Sequence, residues 1–195
     1  RLNRVSFLNI FLIVCIMVFA MPVVGVFNFA NIWLVKLLFG KVALAQIPIA
    51  TDSASLLLNI LVIGGAAGIC EEVMFRGVIL RGFERLGTAK AILITAFLFG
   101  LMHVDFQKLF GTFLLGALIG FIVYRTNSLF SGIIAHFTNN SLAVLLTYGA
   151  NKLNEMLKSS GIENAKGQYE ADQYLSSLLN MPRAQLIGAI IVWAF

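Results

Sequence analysis

The stretch from Leu56 to Leu80 decides which class of fold is open to this chain. It reads LLLNILVIGGAAGICEEVMFRGVIL and is long and apolar enough to span a bilayer, since a transmembrane helix needs about 20 apolar residues. The same stretch carries two adjacent carboxylates, Glu71 and Glu72. A carboxylate at bilayer depth costs about 2.5 to 3.5 kcal/mol on insertion scales, so these side chains are expected to face partners inside a helix bundle and to have a function.

Further apolar segments indicate several membrane crossings. Each is longer than a strand, and an open sheet edge cannot exist in lipid, so each is predicted to be a helix. The chain is 59% hydrophobic and 12% charged, whereas soluble domains are about 45 to 50% apolar. We expect an all-α, polytopic transmembrane helix bundle of about six helices, forming one integral membrane domain over residues 1–195. The predicted spans lie near residues 6–28, 55–80, 89–106, 109–125 and 128–149, with another beginning at Gln185.

The charge distribution indicates a lipid partner. The formal net charge is +5, but the basic residues are scattered over short loops, which is not the pattern of a nucleic-acid-binding face. Anionic lipid headgroups are the expected partner, and no nucleic acid is expected. Cys15 and Cys70 both lie in apolar spans and form neither a disulfide framework nor a zinc-binding spacing.

Short and polar segments set the organisation of the bundle. The connectors Leu86 to Thr88 and Thr126 to Ser128 predict antiparallel neighbouring helices. Residues 151–184 form the polar segment, predicted to be a solvated loop with room for a short interfacial helix. Basic residues divide almost evenly between the two sides, so only the basic leader at Arg1 and Arg4 favours a cytoplasmic N-terminus.

Helical geometry separates the two glutamates. Glu72 and Arg76 are four residues apart and share a face, whereas Glu71 is turned by about 100° from Glu72. Arg76 is therefore predicted to neutralise Glu72 and leave Glu71 pointing elsewhere. The competing interpretation is a purely structural ion-pair network that joins helices and includes both glutamates.

Both histidines of the chain lie in apolar segments and can reach Glu71. Glu71 and His103 are equally far along the chain from Gly87, so two antiparallel helices that turn there bring both residues to the same level, about 24 Å from the turn. His136 and Asn140 are four residues apart and project from one face of a later helix. The motif core, residues 56–148, is thus predicted to gather an acid, two imidazoles and an amide.

This set of groups suits water-dependent peptide hydrolysis. Glu71 and His103 could hold a water molecule and remove its proton. His136 and Asn140 could stabilise the oxyanion of a tetrahedral intermediate, a contribution typically worth about 3 to 4 kcal/mol.

Three short motifs resemble those of a known protease family. EEVMFR from Glu71 to Arg76, FGLMH from Phe99 to His103, and HFTNN from His136 to Asn140 resemble the EExxxR, FxxxH and HxxxN motifs of the CAAX protease and bacteriocin-processing family, also called CPBP or Abi. The motifs occur in family order on successive apolar segments.

The resemblance implies a helical intramembrane endopeptidase that cleaves a membrane-associated peptide or protein, as a multi-pass protein of a bacterial cell membrane. It implies that Glu71 and His103 activate water and that His136 and Asn140 form the oxyanion hole. Glu72, Arg76 and Phe99 are the supporting motif positions. It also implies a metal-free mechanism.

Several alternatives compete with this interpretation. A glutamate and two histidines could bind zinc, but no HExxH motif is present. Cys70 lies in apolar surroundings that keep a thiol inert, and neither Ser131 nor Ser141 has the GxSG context of a serine protease. A non-catalytic scaffold or bacteriocin self-immunity protein has no need of Glu71, and a proton-coupled transporter would show a repeated half with interrupted helices.

Overall fold

The computed structural model describes residues 1–39 and 50–159, and this part of the chain is built from helices. It contains no strand in those ranges and only an isolated bridge between Leu2 and Ser128. The predicted all-α class is confirmed. The five helices are α1 (Phe7–Phe39), α2 (Ser53–Leu86), α3 (Thr88–Met102), α4 (Leu109–Thr126) and α5 (Leu129–Ser159).

Four of these helices are long and apolar enough to cross a membrane. They are α1, α2, α4 and the Leu129–Leu153 part of α5, while α3 is a shorter apolar helix. Large apolar side chains such as Phe7, Phe19 and Val78 cover the outer faces, as lipid contact requires. The chain is an integral membrane protein. The predicted span from Gln185 lies outside the described residues.

Helix α2 winds unevenly along its length. It begins with an α-helical segment, Ser53–Asn59, whose first turn is capped by the side chain of Asp52, and it continues through a π-helical segment, Ile60–Ala66. The α-helical turn Ala67–Glu72 follows and carries both glutamates, and a second π-helical segment, Val73–Ile79, comes after it. Short π-helical turns occur frequently at functional sites.

Both predicted connectors are tight turns with a residue at positive φ. Gly87 has φ 95° and joins α2 to α3, and Asn127 has φ 50° and joins α4 to α5. Glycine and asparagine are the residues that tolerate this conformation most readily. The antiparallel pairing of each pair of neighbours is confirmed.

Polar contacts show which helix ends meet. At one end of the bundle, Arg1 pairs with Glu84 at 2.7 Å, and the side chain of Asn3 donates to the backbone oxygen of Asn127 at 2.7 Å. At the other end, the Asn31 side chain donates to the backbone oxygen of Phe106 at 2.8 Å. Helix α1 therefore runs from the side of the two tight turns to the side of the α3–α4 connection.

The apolar core lies where α1, α4 and α5 meet. Met17 of α1 and Ile119 of α4 are fully buried there, and Ala135 of α5 closes the cluster. Small residues let these helices approach closely, as expected in a membrane bundle.

Four predicted boundaries were wrong. The first helix runs to Phe39 rather than ending near residue 28, the second ends at Leu86 rather than near residue 80, and the third ends at Met102 rather than near residue 106. The last predicted span was to end near residue 149, but α5 continues through residues 151–159, where the sequence had left room for a short helix within the predicted loop. Hydropathy fails at these places because helix ends depend on turns and capping as well as on apolar content. The remainder of the polar segment lies outside the described residues, and the extent of the single domain stays a prediction.

Candidate active site

One carboxylate oxygen of Glu72 joins two other functional side chains. Its Oε1 accepts a hydrogen bond from Nη1 of Arg76 at 2.6 Å and lies 2.9 Å from Nδ1 of His136. An ionised carboxylate can only accept, so Nδ1 of His136 is the donor. All three residues are at least 98% buried. The ion pair between Glu72 and Arg76 matches the helical spacing, whereas the contact with His136 was not predicted.

Arg76 extends this contact to two more helices. Its Nη2 donates to the backbone oxygen of Gly116 on α4 at 2.9 Å. Its guanidinium group lies over the ring of Phe99 on α3, 4.7 Å from the ring centroid. Buried charges are stable only when paired and hydrogen-bonded, and these contacts fix the angle at which α2 meets α3, α4 and α5.

Glu71 does not take part in the ion pair between Glu72 and Arg76, as the helical spacing predicted. Its side chain is 23% exposed, whereas that of Glu72 is fully buried. Oε2 of Glu71 lies 3.8 Å from Nε2 of His136, which is too long for a hydrogen bond. This oxygen is shielded from solvent and accepts no hydrogen bond from the residues that the structure describes. It is therefore an acceptor without a protein donor.

His103 lies at the end of α3 and has a fixed orientation. It is the residue that caps the helix, and its Nδ1 donates to the backbone oxygen of Phe99 at 2.9 Å. A carbonyl oxygen can only accept, so in the neutral ring the proton is on Nδ1 and Nε2 carries the lone pair. The side chains of Glu71 and His103 line the same cavity. They form no direct ion pair with each other.

Phe99 positions both imidazole rings. Its ring makes edge-to-face contacts with His103, at a centroid distance of 4.9 Å, and with His136, at 5.7 Å. Phe75 packs against Phe99 at 5.1 Å. Such aromatic contacts contribute about 0.5 to 1.5 kcal/mol each beyond burial. Phe99 is thus a wall of the cavity that holds the two rings apart.

Asn140 is held by the first π-helical segment of α2. Its Nδ2 donates to the backbone oxygen of Ile63 at 2.9 Å, and its Oδ1 accepts from Nδ2 of Asn139 at 3.2 Å. An amide nitrogen carries two hydrogens, so one N–H of Asn140 is not used by these contacts. Asn140 and His136 both line the cavity.

The four predicted catalytic side chains meet around a single cavity of about 250 Å³. The cavity has room for several water molecules. It is also lined by residues that sequence analysis did not single out, namely Asn28 of α1, Lys108 and Thr112 near the start of α4, and Asn139 of α5. No motif marks these positions, and only the packing of the helices brings them together.

The zinc alternative requires His, Cys, Asp or Glu side chains placed close enough together to bind a metal ion. In residues 1–39 and 50–159, no group of three or more His, Cys, Asp or Glu side chains is arranged to hold a metal ion. Glu72 Oε1 is already bonded to a guanidinium group. A mechanism without a metal cofactor stays a prediction.

One comparison with known proteins covers the helices that carry the three motifs. No curated protein matches the chain, and no solved structure matches it. A family model described as Rce1-like, type II CAAX prenyl endopeptidase, matches residues 53–142, from the start of α2 into α5. All seven motif residues lie within this match, a little under half of the chain. Residues 53–142 are therefore similar to the Rce1-like family of type II CAAX prenyl endopeptidases, the protease family that the three motifs resemble.

Proposed function

We propose that this protein is an intramembrane endopeptidase that hydrolyses a peptide bond in a membrane-associated peptide or protein by means of water activated by Glu71 and His103. The observation that carries the proposal is the cavity that both side chains line: the Glu71 side chain is 23% exposed, and the bond from Nδ1 of His103 to Phe99 leaves Nε2 of the neutral ring as an acceptor. A water molecule has two O–H donors, so it can donate to both acceptors at once. Its oxygen lone pairs then face a substrate carbonyl.

The reaction follows from this arrangement. As the water oxygen attacks the carbonyl carbon, Glu71 takes a proton and the carbonyl oxygen becomes an oxyanion. When the C–N bond breaks, Glu71 returns the proton to the leaving amine. The carboxylate is thus regenerated, and the products are a carboxylate and an amine.

His136 and Asn140 are proposed to bind the oxyanion. Asn140 offers the N–H that Ile63 does not use. His136 offers Nε2–H when its ring is protonated, and the bond from Nδ1 to Glu72 holds Nε2 toward Glu71. Such donors act without reorganisation because they are already fixed by the protein.

The description of the matched family suggests the substrate and the setting. A prenylated peptide with a CAAX sequence is the proposed substrate type, since the matched family is described by that activity. We place the protein in a bacterial cell membrane as a multi-pass enzyme, on the resemblance alone. An apolar outer surface lets a lipid-anchored substrate arrive by diffusion within the membrane.

The test compares two isosteric substitutions on α2. Glu71→Gln removes the base, and cleavage of a prenylated CAAX peptide by the purified protein should fall at least about 100-fold, the lower range for general-base catalysis. Glu84→Gln is the matched control, because Glu84 pairs with Arg1 and Arg81 outside the cavity. Circular dichroism and thermal unfolding in detergent check that both variants fold.

The outcomes separate the competing functions. Undiminished cleavage by the Glu71→Gln variant overturns the general-base role. Loss of activity with a chelator, followed by recovery with zinc, favours the metal-dependent alternative. If neither protein cleaves the peptide, comparison of peptide termini in cell membranes that contain wild type or Glu71→Gln tests for another substrate. Identical termini favour a non-catalytic scaffold or immunity protein.

A further inference from the structure

Asn28 is an unexpected polar residue on the inner face of α1. The other buried residues of this helix are apolar or glycine: Ile13, Met17, Met21, Gly25 and Ile32. Asn28 is 6% exposed. It lines the same cavity as Glu71 and His103.

The side-chain oxygen of Asn28 has no protein partner among the residues that the structure describes. Oδ1 is shielded from solvent and accepts no hydrogen bond within the described part of the chain. A buried polar group without a partner destabilises a protein by about 1 to 3 kcal/mol. A leucine of similar size would avoid this cost, so the fold alone gives no reason for an asparagine.

Helix α4 approaches Asn28 at a glycine. A Cβ atom at Gly111 would lie 2.9 Å from Oδ1 of Asn28. The glycine therefore makes room for the amide without offering a side chain to bind it. Gly111 has no side chain that could bind the amide, and Asn28 also borders the cavity. A partner for the amide would therefore come from the cavity.

We propose that Asn28 binds the backbone of the peptide substrate through its side-chain amide. The inference rests on the proposed function and deepens it. A carboxamide presents one acceptor and one N–H donor group side by side, which complements the N–H and C=O groups of an extended peptide. A residue of α1, outside residues 53–142, then forms part of the substrate site.

The experiment combines a protein variant with modified substrates. Asn28→Leu keeps the side-chain size and removes the hydrogen-bonding groups. The protein should remain folded, with thermal stability equal to or above that of wild type. Its kcat/KM for a prenylated CAAX peptide should fall about tenfold, as for the loss of one or two hydrogen bonds.

A set of peptides in which single backbone amides are replaced by esters identifies the contact. One such replacement should weaken cleavage by wild type and have no further effect on the Asn28→Leu variant. Asn31→Leu is the matched control, since Asn31 lies on the same helix and already donates to the backbone oxygens of Phe106 and Gln107. In the Asn31→Leu variant, the ester replacement should weaken cleavage as much as it does in wild type.

Binding distinguishes failure of this inference from failure of the proposed function. The Kd of the unmodified peptide is measured for Glu71→Gln and for Glu71→Gln combined with Asn28→Leu. Weaker binding to the double variant, without cleavage by wild type, would support Asn28 and count against hydrolysis. Equal binding, an ester response that Asn28→Leu leaves unchanged, or no binding to either protein overturns the inference.

Discussion

Oε1 of Glu72 on α2 lies 2.9 Å from Nδ1 of His136 on α5, although the two residues are 64 positions apart in the chain. The same oxygen also receives the hydrogen bond from Arg76. A fully buried carboxylate thus stabilises one cation and orients one imidazole. The EEVMFR motif on α2 and the HFTNN motif on α5 are therefore joined by direct side-chain contacts.

Glu72→Gln should destabilise the protein strongly. The substitution leaves the buried charge of Arg76 without its counter-ion, and breaking a buried pair in this way costs about 3 to 5 kcal/mol. The free energy of unfolding in detergent measures the effect. Glu155→Gln is the control, because Glu155 pairs with Lys152 on the surface of α5, where such pairs contribute about 0 to 1 kcal/mol. Equal losses in the two variants would contradict the role of Glu72.

Gly132→Ala should damage the site through packing. A Cβ atom at Gly132 would lie 2.6 Å from Oε2 of Glu72 and 2.6 Å from Cγ2 of Val123. One of these groups must move, and overpacking of this kind costs about 1 to 3 kcal/mol. Gly149→Ala lies on the same helix and meets no atom within 4 Å. It should leave unfolding and cleavage nearly unchanged, and a Gly132→Ala variant that behaved likewise would show that Glu72 can shift freely.

Asn140→Ala should lower kcat with little change in KM. The substitution removes a donor proposed for the oxyanion, and loss of one such donor reduces kcat about 100- to 1000-fold. Thr138→Val is the nearby control, since the Thr138 hydroxyl donates to the backbone oxygen of Ile134. Steady-state kinetics on both variants give the comparison. A rise in KM at unchanged kcat would assign Asn140 to substrate binding.

Val104 and Asn127 allow a reciprocal test of backbone strain. Both have positive φ, 51° and 50°, but only asparagine visits this region readily. Val104→Asn should raise the free energy of unfolding, and Asn127→Val should lower it by about 1 to 2 kcal/mol. Thermal or denaturant unfolding provides the measurement. A Val104→Asn variant that is less stable than wild type would show that the positive φ of Val104 does not strain the turn after His103.

The cap of α2 should add a small acid-sensitive contribution to stability. The backbone N–H of Ser55 bonds to Asp52 and lowers the pKa of this carboxyl below its usual value of 3.8. The stabilisation is therefore complete above the unfolded-state pKa and is lost as the pH falls through the lower folded-state pKa. Asp52→Asn keeps a capping side chain but does not titrate. Its thermal midpoint should change less than that of wild type between pH 5 and pH 2, and parallel curves would contradict this.

Relationships within one helix or one turn could be predicted from the sequence. The pair Glu72 and Arg76 follows from the helical repeat, and the turn at Gly87 follows from the short connector. Placing His103 at the level of Glu71 needed only a turn and a helical rise, and both residues do line one cavity.

Relationships that depend on helix rotation could not be predicted. The contact between Glu72 and His136 requires the relative orientation of α2 and α5, which no spacing records. The bond from Asn140 to Ile63 involves a π-helical segment, and the apolar run from Ile60 to Ala66 resembles an ordinary α-helix in sequence. The role of Asn28 could not be predicted, because a single asparagine in a long apolar helix is not part of any motif.

The winding of α2 affects how this helix can change in length. A turn closed by i→i+5 bonds holds one residue more than an α-helical turn, so the Ile60–Ala66 segment contains surplus chain. Deleting one residue there would convert the segment to regular α-helix and leave Glu71 and Glu72 at nearly the same rotation about the helix axis. The same deletion between Ala67 and Cys70 would instead rotate Glu72 and Arg76 together by about 100° around the axis and turn Glu72 away from His136.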